Sequence, residues 1–544
     1  MKQLSVLLFM VFLTWQSMFA QDRSFGTLPM VQKPDVGIRS TARVEETEDS
    51  VALSIYNKLV AARGDYRFPV PKLSIKNQER SVAWMDYDKL EITLEAKALE
   101  VCKPYGDAAI AFLLGHELTH YYEKHAWRRG FVADNRDLKI GMVLNDIADD
   151  AANETEADYL GGFLAYSAGY GLFDKGDEVI KKLYDAYQLP PDIDGYPSLM
   201  DRQALAKRTT EKLEELVEAF EMASLLTAID RYSEAYAYYR HVLMAYQSRE
   251  IYNNLGVTAV LDAMQYMKES EKKFKLPLEL DLESSGTRGS GMATDVAAKL
   301  RQAILHFDAA ISLDPNYAPA YLNKACAYTL LGDTTKARFY ADIEARAAAT
   351  FSKLPKTQQD VDILLAILEA QAGNAAQAKK MFMKAAYEGS ALAAANLRIL
   401  EPVQEAEISR SAGGISAAER IDGLTMAKIK SNIQIDDQKT RDLGSGMRFH
   451  QNPAIGTQSK LFVNENAGAE EYVLIQMTNP GYAGKTALNI QIGSKRAAII
   501  EAYGEPRRTI ETPRGEILVY PKMLFILGGD GKVARWANYD VLPM

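Results

Sequence analysis

The sequence predicts a multidomain protein in which an α+β domain is followed by an all-α helical array and a small α+β C-terminal domain. Three observations support this fold class. Strand-like runs and amphipathic helices share residues 46–210, helix follows helix in residues 211–400, and short strands with glycine-rich turns recur in residues 424–544. With 544 residues, of which 47% are hydrophobic and 25% charged, the chain has room for three or four folded domains.

Charge and cysteine content argue against two classes of protein. The net charge of -9 is spread along the chain without a basic tail, which argues against nucleic-acid binding as the main task. The two cysteines, Cys102 and Cys326, fall in different predicted domains, so a disulfide framework is not expected. We expect each cysteine to behave as a small buried apolar residue.

The first residues resemble a secretory signal peptide, which we place at residues 1–20. Lys2 supplies a positive end, residues 4–15 are apolar, and Ala20 is a small residue suited to cleavage after it. A membrane helix needs about 20 apolar residues, so an uncleaved anchor is the less favoured alternative. We expect an exported chain with an irregular lead-in at residues 21–45 and no transmembrane span after signal removal.

The first α+β domain is predicted to begin with a helix at residues 46–62, which Gly64 ends. Three strands are expected to follow at residues 72–75, 82–86 and 89–94, where apolar and β-branched side chains alternate or cluster. These strands predict a small sheet ahead of the next helix.

Residues 107–124 carry apolar side chains at helical spacing and predict a helix with one polar face. His116 and His120 lie one turn apart on it, so they can bind a single metal ion while Glu117 points at the open position of that metal. Zinc suits this set best, since a catalytic zinc keeps three protein ligands and a water whose pKa it lowers to about 7. A chance match on a solvated helix face is the alternative, although the chain has only 6 histidines.

The predicted helical run at residues 141–170 offers a third ligand. Glu154 and Asp158 are again one turn apart on one face, and a glutamate on a second helix is the third ligand in one class of zinc peptidase. Glu156 is the competing choice for the third ligand. Being two residues from Glu154 on a helix, it is expected to face elsewhere.

The two motifs together, His-Glu-x-x-His and then, 34 residues later, Glu-x-x-Ala-Asp, resemble those of the gluzincin metallopeptidases of the HtpX and CAAX-prenyl-peptidase superfamily. The resemblance implies that His116, His120 and Glu154 bind one zinc ion per chain and that Glu117 is the general base. It further implies that Asp158 orients a ligand histidine. In this family the edge strand of the small sheet holds extended substrate by main-chain pairing, and we expect substrate there.

Residues 190–202 resemble a further element of the family, a His-Pro pair with an arginine five residues after the proline. Tyr196 stands where the histidine is usual, which puts the regulatory role of that histidine in doubt here. Tyr196 is expected either to donate a hydrogen bond to the developing oxyanion or simply to pack. Arg202 matches the arginine and is expected to brace the active-site helices.

Spacings in residues 222–400 resemble three or four tetratricopeptide repeats. Aromatic, small and glycine residues recur at positions typical of the repeat, namely Tyr252, Gly256, Tyr321, Ala325, Tyr328, Gly332 and Ala337. The polar residues 268–294 are predicted to be an insertion between two repeat helices. The repeats imply a concave surface that binds a protein or peptide, with a purely structural spacer as the alternative.

Residues 401–423 are predicted to be a linker to the C-terminal domain at residues 424–544. A single helix is expected in this domain at residues 494–503, ending at Gly504. Five strands are expected, at residues 488–492, 508–511, 517–520, 524–527 and 533–539. The domain resembles small envelope modules of outer-membrane assembly proteins, so a binding or docking role is expected.

The whole arrangement resembles the periplasmic outer-membrane quality-control peptidases of the BepA type, which join such a peptidase to tetratricopeptide repeats. The resemblance implies a periplasmic zinc metalloendopeptidase that hydrolyses misfolded or stalled envelope proteins, with envelope assembly machinery as a partner. A secreted or cell-surface location is the alternative to the periplasm. An envelope chaperone or assembly scaffold with a latent peptidase is the second hypothesis for function, and peptidoglycan or lipoprotein processing is the third.

Overall fold

The structure is a computed structural model, and it describes most of the 544-residue chain. The described residues are 48–77, 82–87, 89–125, 150–192, 198–268, 270–278, 296–401, 419–421, 423–424, 426, 428, 440–442, 447–454, 457–464, 471–512 and 515–543. The predicted signal peptide, the lead-in and the greater part of both the insertion and the linker lie outside the described residues.

The described chain begins with helix α1, Glu48–Arg63, and a three-stranded sheet of β1 (Lys72–Lys76), β2 (Ala83–Asp86) and β3 (Glu91–Glu95). Helix α1 ends at Gly64, whose φ of 59° is a conformation that residues with a Cβ rarely adopt. In the sheet, β3 is central, parallel to β1 and antiparallel to β2, so that β2 lies at one edge. The helix and the three strands confirm the sequence prediction for this segment.

Further helices follow the sheet, and the second and third of them carry the predicted metal ligands. They are α2 (Ala96–Cys102), α3 (Asp107–Tyr122), α4 (Asp150–Ala165), α5 (Gly176–Tyr187) and α6 (Leu199–Ala228). Helices α3 and α4 touch backbone to backbone, because a Cβ built on Gly161 would lie only 2.6 Å from the carbonyl carbon of Gly115. The two glycines therefore allow a crossing at which the polar faces of α3 and α4 meet.

Beyond α6 the chain continues as a helical array up to residue 400. Its described helices are α7 (Tyr232–Ala245), α8 (Arg249–Gln265), α9 (Val296–Leu313), α10 (Ala318–Leu330), α11 (Thr334–Arg338), α12 (Arg346–Phe351), α13 (Pro355–Gln371), α14 (Ala375–Tyr387) and α15 (Ala391–Leu400). A π-helical segment, Phe339–Ala345, joins α11 to α12. Ala303, Ala310, Ala325 and Ala337 are fully buried, which lets neighbouring helices pack closely.

Two features of this array differ in detail from the sequence prediction. Helix α6 runs through residue 210 without a break, so one helix continues from the part that carries the predicted metal ligands into the array. The described start of the predicted insertion is not simply a solvated loop, since Phe274, Leu276 and Leu278 are buried in the core of the array. The side chain of Asn396 also bonds both backbone groups of Lys275, each at 2.8 Å. This stretch therefore packs against α15.

The C-terminal part forms an eight-stranded antiparallel sheet in the order β4-β5-β6-β7-β11-β10-β9-β8. Its strands are β4 (Thr440–Asp442), β5 (Met447–Ala454), β6 (Thr457–Asn464), β7 (Glu471–Thr478), β8 (Arg508–Thr512), β9 (Gly515–Tyr520), β10 (Met523–Gly528) and β11 (Val533–Pro543). Strand β11 returns to pair with β7 and so joins the first four strands to the last four. Helix α16, Arg496–Tyr503, packs on the sheet through Ile499 and Tyr503.

Four of the five strands predicted for this part, and its helix, are confirmed. The strand predicted at residues 488–492 is wrong, because these residues form a turn in which Asn489 has a φ of 64° and Leu488 is exposed. Strands β4 to β7 were not predicted at all.

One face of the C-terminal sheet packs against the helices rather than standing apart from them. Ile475 of β7 and Leu524 of β10 belong to the same buried core as Leu226 of α6. Arg508 of β8 is also buried, and its guanidinium donates to the carboxylate of Asp230 at 2.7 Å. The same guanidinium donates at 3.2 Å to the carbonyl oxygens of residues 227 and 228 at the end of α6, where an arginine satisfies groups that the helix leaves unpaired.

The helical array also contacts the segment after α1. The backbone N–H of Tyr66 donates to the carbonyl of Leu313 at 2.8 Å. Arg249 donates to the carbonyl of Ala61 at 3.1 Å and pairs with the carboxylate of Asp314. These contacts attach the start of α8 and the end of α9 to helix α1 and to the segment that follows it.

Among the described residues, no helix combines the length and the apolar character that crossing a membrane requires.

Candidate metal centre

His116, His120 and Glu154 meet at the crossing of α3 and α4. The Nε2 atoms of the two histidines are 2.9 Å apart, and each lies 3.5 Å from an oxygen of the Glu154 carboxylate. Helix α3 supplies the histidines one turn apart, and α4 supplies the glutamate. Within the described ranges, this is the one group of His, Cys, Asp or Glu residues whose ligand atoms could together hold a metal ion.

The spacing of the two Nε2 atoms and the carboxylate of Glu154 fits zinc. A zinc ion bound at about 2.0–2.1 Å in a tetrahedron would hold its ligand atoms about 3.3–3.4 Å apart. The observed separations, 2.9 Å between the two nitrogens and 3.5 Å from each nitrogen to a different oxygen of Glu154, lie on either side of that value. Two imidazoles and one carboxylate also leave one tetrahedral position for water or substrate, which is typical of catalytic zinc sites.

Asp158 and Arg202 hold two of these three side chains from the outside. The Nδ1 atom of His116 lies 2.7 Å from a carboxylate oxygen of Asp158, so this nitrogen can donate its proton there and leave Nε2 free to bind a metal. The Nη2 atom of Arg202, on α6, donates to Glu154 at 3.2 Å. The structure thus brings Asp158 and Arg202 into direct contact with the predicted ligands.

Together, the hydrogen bonds and charges around Glu154 and His116 shift the pKa values of these groups more strongly than burial does, and in the opposite direction. Burial acts to raise the pKa of Glu154, but His116, Arg202 and His120 together lower this pKa to about 2. Burial acts to lower the pKa of His116, but the carboxylates of Asp158 and Glu154 raise it to about 10. Both shifts favour a protonated His116 beside an ionised Glu154, and a metal ion that binds Nε2 of His116 takes the place of the proton on that nitrogen.

Glu117 lies beside the cluster and is only partly exposed. Burial raises the pKa of its carboxyl group to about 7, an effect that Glu154 reinforces and that His116 and Arg202 oppose. A carboxyl group whose pKa is close to neutral can accept a proton and release it again at the same pH. The raised pKa makes Glu117 a candidate for proton transfer at this site.

His125 is part of the site, although the sequence prediction did not include it. Its ring is fully buried, with Nδ1 lying 2.7 Å from Nδ1 of His120 and Nε2 lying 3.1 Å from a carboxylate oxygen of Glu156. Glu156, the competing choice for the third ligand, thus faces His125 and not the three ligand atoms. A signal was present in the sequence, since three of the six histidines fall between residues 116 and 125.

Two other predicted features lie at the edges of the site. Tyr196 is outside the described residues. Tyr87, directly after the edge strand β2, donates from its hydroxyl to the carbonyl oxygen of His120 at 3.4 Å. The edge strand and the second histidine are therefore neighbours.

Comparison with known proteins identifies one part of the chain. Residues 306–339 match the family model of the tetratricopeptide repeat. The match begins in α9 and runs through α10 and α11, and it confirms the tetratricopeptide part of the sequence prediction. No curated protein matches the chain. The chain is thus a mostly helical protein with tetratricopeptide repeat structure, of the kind that generally mediates contacts between proteins, and a C-terminal sheet.

Proposed function

We propose that the chain is an exported zinc-dependent metalloendopeptidase of the gluzincin type. The observation that carries this proposal is the meeting of His116, His120 and Glu154, with Glu117 beside them. Two histidines on one helix, a glutamate on a second helix and a partly buried carboxyl group of raised pKa are the set that zinc-assisted peptide hydrolysis needs.

The bound zinc would supply a Lewis acid that polarises the peptide carbonyl and lowers the pKa of a coordinated water towards about 7. The side chains of this chain would do the rest. Glu117 accepts the proton of the attacking water at a carboxylate oxygen and passes it to the leaving nitrogen as the C–N bond breaks. Asp158 keeps His116 in the tautomer whose Nε2 faces the metal. Arg202 keeps Glu154 ionised and in place.

Substrate is proposed to bind as an extended segment beside β2. This strand lies at one edge of the three-stranded sheet and next to α3, so a peptide pairing with it would run past the proposed metal. Main-chain pairing recognises backbone rather than sequence and suits unfolded polypeptides. The proposed substrates are therefore misfolded or stalled proteins of the cell envelope, recruited by the tetratricopeptide repeats.

Export of the chain belongs to the same proposal. It is supported by the signal-like composition of residues 1–20, which suits transport to the periplasm. Envelope assembly machinery is the proposed partner of the repeat surface.

Zinc content and cleavage of an unfolded protein test the proposal. We would compare the mature chain with the variants Glu117→Gln and Glu178→Gln. The second is the control, since Glu178 is an exposed residue of α5 whose partner is Lys175. We expect about one zinc per chain in all three proteins, and cleavage of casein that is lost by at least about 100-fold only in Glu117→Gln.

The other outcomes are informative. Absence of zinc from the wild-type protein would refute the proposal. Zinc without cleavage of any unfolded substrate would favour the envelope scaffold with a latent peptidase. Equal cleavage by the wild type and Glu117→Gln would remove Glu117 from the role of general base.

A further inference from the structure

The contact between His125 and His120 is built by the local backbone. Helix α3 ends at Tyr122, and two residues later Lys124 adopts a φ of 58°, which is unusual for a residue with a Cβ. This turn brings His125 back beside the last turn of α3, where its ring is fully buried. A left-handed residue that costs backbone energy persists where the surrounding structure holds it in place.

The hydrogen bonds of this contact have one consistent arrangement if His120 is a metal ligand. Its Nε2 faces His116 and Glu154 and must then carry no proton, so its Nδ1 carries one. That Nδ1–H can donate to Nδ1 of His125, 2.7 Å away. The Nε2–H of His125 can in turn donate to Glu156, 3.1 Å away. His120 and His125 thus each have one donor nitrogen and one acceptor nitrogen, and each of these four nitrogens has a partner once a metal ion is bound.

His116, the other proposed ligand histidine, also reaches a carboxylate through its outer nitrogen, Nδ1. His116 donates from Nδ1 directly to Asp158, whereas His120 reaches the carboxylate of Glu156 through the ring of His125. Glu154, Glu156 and Asp158 all belong to α4. One helix therefore supplies a ligand and fixes the outer nitrogens of both ligand histidines.

We propose that His125 and Glu156 are positioning residues that hold the ring of His120 in the orientation and tautomer needed to bind the metal ion. This inference rests on the proposed metal site and adds two residues that act through His120 without touching metal or substrate. Partners of this kind change metal affinity by about 10- to 100-fold when they are removed.

The variants can be designed from the contacts. His125→Phe removes both hydrogen bonds but keeps an aromatic ring in the buried position. His125→Asn places an acceptor oxygen near the position of Nδ1, so it restores the bond to His120 and lacks the reach to Glu156. Glu156→Ala removes the carboxylate, and Glu156 also borders a cavity of about 840 Å³, so its loss leaves the packing of the core largely intact.

Two control variants remove similar groups far from the site. His306→Gln changes a half-buried histidine of α9 that bonds the hydroxyl of Tyr236 at 2.8 Å. Glu178→Ala removes a partly exposed carboxylate from α5, where Glu178 pairs with Lys175. Neither residue contacts the ligands, so both controls should keep the zinc affinity of the wild type.

The test is the zinc dissociation constant of each full-length mature protein, measured by competition with a chromophoric chelator. The visible absorption spectrum of the cobalt-substituted protein is recorded in parallel, because it reports the geometry of the ligands. We expect His125→Phe to bind zinc about 10- to 100-fold more weakly and to change the cobalt spectrum, with Glu156→Ala changing both in the same direction. His125→Asn should recover most of the lost affinity.

The double variant His125→Phe/Glu156→Ala provides the decisive comparison. If Glu156 acts only through His125, the double variant binds zinc no more weakly than His125→Phe alone. If His125 merely fills space, His125→Phe lowers the melting temperature of the metal-free protein but leaves zinc affinity and the cobalt spectrum unchanged, and the inference is overturned. Additive losses in the double variant would overturn the linked arrangement.

Failure of the inference is distinguishable from failure of the proposed function. A wild-type protein that binds no zinc removes the metal site and, with it, the role of His125. A wild-type protein that binds zinc and cleaves casein, with variants that bind equally tightly, leaves the function standing and overturns only this inference.

Discussion

The substitution Gly161→Ala tests whether the close crossing of α3 and α4 sets the metal site. The new Cβ would lie 2.6 Å from the carbonyl carbon of Gly115 and 2.6 Å from the backbone nitrogen of His116, whereas ordinary contacts begin at 3.4 Å. Both neighbours are backbone atoms, which cannot rotate away. The two helices must therefore separate by about 0.8 Å at this point.

This separation is large on the scale of a metal site. Ligand distances in metal sites hold to about 0.2 Å, and Glu154 lies on one of the two helices while both histidines lie on the other. We expect zinc to bind at least about 10-fold more weakly, which corresponds to about 1.4 kcal/mol. Overpacking costs about 1–3 kcal/mol of folding stability, and the better helix propensity of alanine offsets about 1 kcal/mol of this.

The neighbouring substitution Gly162→Ala is the matched control. Its Cβ would meet the Cδ2 atom of Leu213 at 2.6 Å, but that atom is the tip of a flexible side chain and can move. The two variants therefore make the same glycine-to-alanine change at neighbouring buried positions of one helix. They differ in the atoms that the new methyl group meets, which are backbone atoms in Gly161→Ala and a side-chain atom in Gly162→Ala. Zinc titration with a competing chelator should show weakened binding in Gly161→Ala alone. Equal affinities in the two variants would refute the dependence of the site on this crossing.

Two further predictions concern stability and thiol reactivity. Arg508→Met should lower the free energy of unfolding by about 1.5–3 kcal/mol, because it removes a buried guanidinium from Asp230 and from the two carbonyl oxygens at the end of α6 while Arg507 still pairs with Asp230. Arg496→Met, at a partly exposed pair with Glu516, should cost at most about 1 kcal/mol. Chemical denaturation measures both, and equal losses would contradict the argument. Burial raises the pKa of Cys102 to about 12 and that of Cys326 well above its ordinary value, so both thiols stay protonated at pH 8. A thiol reagent should find no reactive cysteine in the native protein and two in denaturant, and rapid labelling of the native chain would show that the buried positions open.

The candidate metal site could be predicted from the sequence because residue types that bind metal ions recur there at the spacing of one helical turn. His116 and His120 are one turn apart on a strongly patterned helix, and Glu154 and Asp158 repeat that spacing on a second one, so their convergence needed only that the two helices meet. The contact of His125 with His120 could not be predicted in the same way. It depends on the left-handed backbone conformation of Lys124, and lysine is not a residue whose conformational preferences predict such a turn.

The fold was predictable in its local elements and less so in its long-range pairing. The hairpins from β8 to β11 carry apolar runs bounded by turns that contain glycine or proline, and those patterns predicted their strands. The run at residues 488–492 has a similar apolar composition, but Asn489 adopts a left-handed conformation and the chain turns there. The pairing of β11 with β7 joins residues that are 60 to 72 positions apart in the sequence, and period-two patterning does not identify such partners.

The attachment of the C-terminal sheet to α6 determines when the protein can reach its final form during synthesis. Arg508 and Asp230 are 278 residues apart, and contacts of such separation form only after everything between them has been made. A chain still emerging from the ribosome or from an export channel would hold α3, α4 and α6 while the strands that cover part of their core were missing. The core around α6 would therefore be completed only when the chain is complete, and a prematurely ended product would leave the apolar face of α6 uncovered.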